Sequence, residues 1–194
     1  MLTIRVFCIP NRVLKEFAQK LAPVVKDIYN ASLIEGYFPD ALKASLLNPI
    51  PKTSPPQQIE SDLRPIALTH TLAKVLEGFT RDRLITQVSH QIHPRQFACA
   101  GHSTTDALVY LLQAVYEAVD TGSCAARLFF LFYFADCSKG FDMIDHSVLI
   151  EELRNVHVHP VLVNWIIAFL CNRTQAVRIE NIISEWKTPK GGIP

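Results

Sequence analysis

The sequence predicts an α+β fold, rich in helix and carrying a small sheet. Three observations predict it. Long stretches repeat apolar residues at spacings of three and four, the mark of amphipathic helices. Two pairs of short segments flanked by turn residues can fold as hairpins. Residues 128–135 are an unbroken apolar run, with the length and aromatic content of a strand buried on both faces, and the run stops at Asp136. A carboxylate at the end of a core strand reads in two ways: as a cap on the following turn, or as a charged group held by rigid backbone at the mouth of a cleft.

Taken in order, Asn11 can cap a helix whose apolar positions are Val13, Leu14, Phe17 and Leu21. Pro23 breaks it or opens a second helix, with Val24, Val25, Ile28, Tyr29 and Leu33 on one side and Gly36 at its end. A short helical turn around Asp40 leads into a strand from Ala44 to Ile50. Residues 53–62 contain Pro55 and Pro56 among polar neighbours and read as a mobile loop. Pro65 biases Arg64 away from helix, so residues 63–68 are extended and can pair with 44–50 as a hairpin.

A long helix is expected from Thr71 to about Val88, with Leu72, Val75, Leu76, Phe79, Leu84 and Ile85 apolar and Lys74, Glu77, Arg81 and Arg83 facing out. After His93-Pro94 comes a loop through Gly101. Ser103 or Thr104 then starts a second long helix, which ends near Gly122. Beyond the apolar run, a helix from about His146 to Val156 should turn Val148, Leu149 and Leu153 inward. Another runs from Pro160 to Leu170 with proline at its first position. Residues 175–179 and 183–188 alternate well enough to form the second hairpin.

Composition narrows the function. The 194 residues are 49% hydrophobic, enough for a sizeable core, and 19 Lys and Arg against 18 Asp and Glu leave a charge of +1. There is no bulk basic field, so any phosphate binding has to be local. Five widely spaced cysteines without a Cys-x-x-Cys fit reduced intracellular thiols. His90, His93 and Cys99 offer three metal ligands and no nearby fourth. Neither a secretory leader nor an apolar run long enough to span a membrane is present, and the expectation is a soluble intracellular protein of nucleus or cytoplasm.

Several stretches, in order, resemble one family. They are residues 30–43, Asn48-Pro-Ile-Pro-Lys52, Asp62-Leu-Arg-Pro-Ile-Ala-Leu-Thr69, Gln96-Phe97 with residues 101–107, Phe134-Ala-Asp-Cys-Ser-Lys-Gly-Phe-Asp142 with Asp145-His146, Asn172-Arg173-Thr-Gln175, and Gly191-Gly-Ile-Pro194. The chain from about Ile9 onward resembles the reverse transcriptases of non-LTR (LINE-type) retrotransposons, close to the jockey-like group. The resemblance implies an RNA-directed DNA polymerase of right-hand shape. Residues 1–125 would be helical fingers with a hairpin near 44–69, and 126–194 a partial palm with a small antiparallel sheet.

By the same resemblance Asp136 is a catalytic carboxylate binding two Mg2+ ions, with the backbone carbonyl of Cys137 as a further ligand. Such chemistry needs hard oxygen donors to clamp the attacking hydroxyl and the leaving phosphate. Lys52 and Arg64 would hold the triphosphate, and amides around Lys139 and Gly140 would meet it. Phe141 would be the steric gate that excludes a ribose 2′-hydroxyl, and Gln96 a template contact. Implied partners are an RNA template, a DNA primer and deoxynucleoside triphosphates. On residue type alone, a surface Lys52, a salt-bridged Arg64 and a core Phe141 are the structural alternatives.

Ala98-Cys99-Ala100 departs from the family's usual run after Gln96-Phe97, and Cys137 and Gly140 replace larger residues. The Tyr-x-Asp-Asp box bearing the other catalytic carboxylates does not occur in the sequence. The ending is therefore read as a truncation, and the isolated chain is expected to be inactive. The alternative is a non-catalytic relic of a retroelement that at most binds RNA or a protein.

Overall fold

A computed structural model describes residues 9–98, 101–120, 140–141, 143–189 and 191–192. These fall into two compact units, one from Met1–Val88 with Lys139–Pro194 and the other from Ser89–Ser138. Each is described by itself. The expected strand at 128–135 lies outside the described residues.

In the larger unit α1 (Asn11–Glu16) and α2 (Ala18–Glu35) are separated at Phe17, whose backbone leaves the helical region (φ −102°, ψ 17°). Pro23 lies inside α2 instead of breaking it. Six residues into the helix, it removes one amide donor and the remaining ladder continues around it. Asn11 is within α1 and supplies no cap. Gly36 ends α2 in the left-handed region (φ 58°, ψ 33°), and Tyr37 N donates back to Ser32 O at 3.0 Å. Of the expected apolar side, Tyr29 and Leu33 are buried, whereas Val24 is exposed.

After a 3-10 turn, Asp40–Leu42, the chain enters β1 (Ala44–Pro51), a short α3 (Ile59–Asp62) and β2 (Leu63–Leu68). The expected hairpin forms, antiparallel, with Leu46 opposite Leu68 and Ile50 opposite Arg64. Lys52 N donates to Asp62 O at 2.7 Å, which fixes which pairs exchange hydrogen bonds. By that alternation 50/64 and 48/66 are bonded pairs and 49/65 is not. Pro49 and Pro65, neither with an N–H to give, stand opposite each other at that unbonded step.

Helix α4 (Thr71–Val88) matches its expected bounds, but its buried face is Ala73, Leu76 and Thr80, while Phe79 and Ile85 are exposed. Thr80 turns inward because its hydroxyl is satisfied: it bonds Leu76 O, and Tyr29 Oη lies 3.1 Å from it.

Helices α6 (His146–Asn155) and α7 (Pro160–Leu170) precede β3 (Thr174–Ile179) and β4 (Ile182–Ile183); α5 (Thr104–Asp120) belongs to the smaller unit, below. Val148, expected inward, is exposed. The sheet runs β2-β1-β3-β4. The second hairpin closes with Ile179 opposite Ile182, but β1 and β3 are parallel, Ala44 opposite Thr174 and Leu47 opposite Val177. That pairing departs from an all-antiparallel sheet, and it joins the two hairpins.

The core is aromatic. Phe38 meets Trp165 and Phe169 edge-on at 5.3 and 5.1 Å between centroids, and Trp165 stacks on Phe169 at 5.4 Å. Trp165 Nε1 donates to Ser32 Oγ at 2.8 Å, and Ser32 Oγ donates to Tyr37 O. One hydroxyl thus satisfies both groups.

In the smaller unit α5 (Thr104–Asp120) starts with a reciprocal cap: Ser103 N donates to Asp106 Oδ2 at 2.7 Å, and Asp106 N to Ser103 Oγ at 3.2 Å. The Ser103 hydroxyl, which donates to Asp106 Oδ2 at 2.8 Å, and the Ser103 amide together hold the Asp106 carboxyl below its ordinary pKa. Phe97 packs on His102 and Tyr110, and the Arg95 guanidinium lies 5.1 Å from the Tyr110 ring.

Candidate functional site

The β1–β2–β3 surface forms one side of a cleft of about 800 Å³ in the larger unit. Ser45 and Leu47 on β1 stand opposite Gln175 on β3 and Ala67 on β2 respectively. Residues directly opposite share a face of the sheet, so Ser45, Leu47, Ala67 and Gln175 form one row along the cleft, and Arg64 and Ile66, at the alternate positions of β2, also border it. Two walls complete it. The end of α7 gives Leu170 and Arg173, and the approach to α6 gives Phe141 and His146 with Gly191 and Gly192 beside them. Among the described residues no carboxylate lines this cleft.

The Gly191-Gly192 segment is pinned to the start of α6. Gly192 N donates to Ile144 O at 3.1 Å, and His146 Nε2 lies 2.6 Å from Gly192 O. A carbonyl only accepts, so Nε2 carries the proton. Gly192 has φ 80°, which a side chain would strain. Asp145 caps α6: its carboxylate accepts from Ser147 N and Ser147 Oγ, and those bonds together with one from Val148 N hold its carboxyl below the usual aspartate value.

Of the residues singled out from sequence, the cleft brings Arg64 and Phe141 together. Arg64 is exposed, and among the described residues no carboxylate pairs with it. Phe141 is 73% exposed and so is not a core side chain. Gly140 precedes it in the same turn. Lys52 is elsewhere: it stands just past β1, and its Nζ donates to Ser61 O at 2.8 Å across the mouth of the loop. Gln96 is exposed in the smaller unit, its amide bonded to His93 O at 2.9 Å. Asp136, Cys137 and Lys139 lie outside the described residues.

Among the described residues no three His, Cys, Asp or Glu side chains gather as metal ligands. The described walls alone therefore do not fit a metal ion. No described helix is long and apolar enough to cross a membrane.

Sequence reasoning gave no role to Arg173. It is 4% exposed, donates from Nη1 to Phe169 O at 3.1 Å, and holds its guanidinium 4.8 Å from the Phe169 ring centre. Burial lowers its pKa, and the charge of Glu77 partly restores it. The available signal was a lone arginine three residues past the end of a nearly all-apolar helix. His146 and Gln175 were inside recognised boxes but unassigned.

The model of the reverse transcriptase (RNA-dependent DNA polymerase) family matches residues 50–194, most of the chain and all of the cleft's lining except Ser45 and Leu47. The chain belongs to the reverse transcriptase family. Its similarity extends to the RNA-directed DNA polymerase from mobile element jockey of Drosophila melanogaster, 27% identical over 187 residues. It extends also to two probable RNA-directed DNA polymerases of the same fly, from transposon BS and transposon X-element, each 26% identical. Each match covers 95% of this chain and 20% of the relative, so this reverse transcriptase chain spans a fifth of the length of those proteins. The α+β architecture of the described residues, helix-rich with a four-stranded sheet, is consistent with a partial reverse transcriptase domain. Nucleotidyl transfer in the family needs a divalent metal.

Proposed function

We propose that this chain is the fingers, 1–125, and front palm, 126–194, of an RNA-directed DNA polymerase of a non-LTR retroelement. Its cleft takes the incoming deoxynucleoside triphosphate beside an RNA template and DNA primer. The observation that carries this reading is the meeting of Arg64 and Phe141 in one cleft without a lining carboxylate among the described residues. Arg64 forks onto triphosphate oxygens, and Phe141, exposed at the cleft, sets the sugar choice. Lys52 leaves Ser61 to meet the same phosphates as a point charge. The amides around Lys139 and Gly140 meet them from the other side, and Gln96 touches the template.

Asp136, with the Cys137 carbonyl, is the proposed Mg2+ end of the site. A metal bound there supplies Lewis-acid stabilisation of the transferring phosphate. The proposed compartment is intracellular, nucleus or cytoplasm.

The test is binding of an RNA template annealed to a DNA primer, by filter retention across a salt series. Affinity should fall steeply as salt rises. In the presence of the duplex, deoxyribonucleotide should bind better than ribonucleotide, and Phe141→Val should erase that preference. Salt-independent or undetectable duplex binding would leave only the relic reading, and an unchanged sugar preference would remove Phe141 from the gate.

A further inference from the structure

The cleft and a second, smaller depression of about 400 Å³ have Ala67 and Arg173 in common. The smaller one is lined by Lys74, Glu77 and Arg81 from α4. Arg173 is thus a buried cation at the junction of two hollows. One of its terminal nitrogens is occupied by Phe169 O, but Nη2 is buried and has no hydrogen-bond partner among the described residues. No described carboxylate lies within ion-pair distance of the guanidinium. An unpaired buried charge is costly, and proteins satisfy nearly every such donor. A guanidinium held over an aromatic ring, with one edge unspent, matches the geometry of a phosphoryl group.

We propose that Arg173 is a phosphate-binding residue of this cleft, its Nη2 edge reserved for a phosphoryl oxygen of an anion that also meets Arg64. The proposal rests on the polymerase reading above and adds to it a second cation and an entry path. Nη2 is covered in this conformation, so the guanidinium turns off Phe169 as the anion arrives. That movement has a reporter, because Phe169 is stacked on Trp165. The phosphate source is either the tail of a free triphosphate or the backbone of a strand running from the smaller hollow.

The experiment uses the 194-residue chain carrying Trp186→Phe, so that Trp165 is the sole tryptophan. Inorganic tripolyphosphate and a short single-stranded RNA are titrated separately at low salt, reading Trp165 emission and melting temperature. A shift with tripolyphosphate that RNA does not displace assigns the triphosphate tail; a shift shared with RNA assigns the strand. In either case Arg173→Met should weaken the anion about tenfold, as loss of a charge-assisted bond does. Its melting temperature without anion should equal or exceed the parent's, because a buried unpaired charge is gone.

The proposal is overturned if Arg173→Met binds both anions as tightly as the parent, or if neither anion moves Trp165. It is also overturned if Arg173→Met and Glu77→Gln both lower the melting temperature while anion binding is intact, which makes Arg173 a structural cation. Primer-template binding that depends on Arg64 but not on Arg173 would leave the polymerase reading standing without this one.

Discussion

Phe169 borders two regions that treat polar groups in opposite ways. On one side, the Trp165 N–H and the Tyr37 carbonyl are both satisfied by Ser32, and Thr80 is bonded within its own helix while lying close to the Tyr29 hydroxyl. On the other, Arg173 keeps an unpartnered Nη2, Arg64 is exposed without a described carboxylate partner, and Phe141 is 73% exposed. The first region carries stability, because every desolvated donor there recovers a bond. In the second, Arg173 spends one nitrogen on Phe169 O, and the groups left over among the described residues are those that the proposed anion site would use.

Mutations should separate the two. Trp165→Ala removes a fully buried ring and its three aromatic contacts, with Tyr29, Phe38 and Phe169, and should cost about 4 kcal/mol in urea unfolding. A loss under about 1 kcal/mol would mean that the core does not depend on this side chain. Ser32→Ala strands a buried indole N–H and a carbonyl together, and should cost about 2 kcal/mol. Arg64→Ala should weaken triphosphate binding about tenfold, or about 1.4 kcal/mol, while leaving unfolding within about 0.5 kcal/mol of the parent. If stability fell and binding held, Arg64 would belong with the core.

The smallest effect concerns Asp145. Its folded-state carboxyl is held below the ordinary aspartate value by Ser147 and Val148. Its stabilisation of α6 is therefore full above the ordinary aspartate value and disappears as pH falls through the lowered one. Amide exchange at the start of α6 should quicken over that acid range. Asp145→Ser, a cap that does not titrate, should abolish the change.

Local patterning made much of this legible. Apolar spacing and proline placement gave the ends of α4 and α7, and Pro65 gave the extended β2. The inward face of α4 was less legible, because Ala73 and Thr80 weigh little on any apolar scale and are buried by what packs on them. The parallel meeting of β1 and β3 joins segments distant in sequence, which no periodicity reports. Arg64 and Phe141 could be named from the boxes that carry them, and they share a cleft. Arg173 was in a box too, but its significance lies in an unsatisfied atom, which only packing reveals.

The paired prolines have one more consequence. Among the described residues β1 is partnered by β3 only as far as Leu47, so its final stretch presents a free edge. At the unbonded steps, 49 and 51, the backbone points outward to that edge, and both positions are proline. The edge therefore offers carbonyls and no N–H groups. A strand from another copy of the chain would find half of its ladder missing, so the stretch that carries the hairpin towards its tip is protected against adding strands end to end.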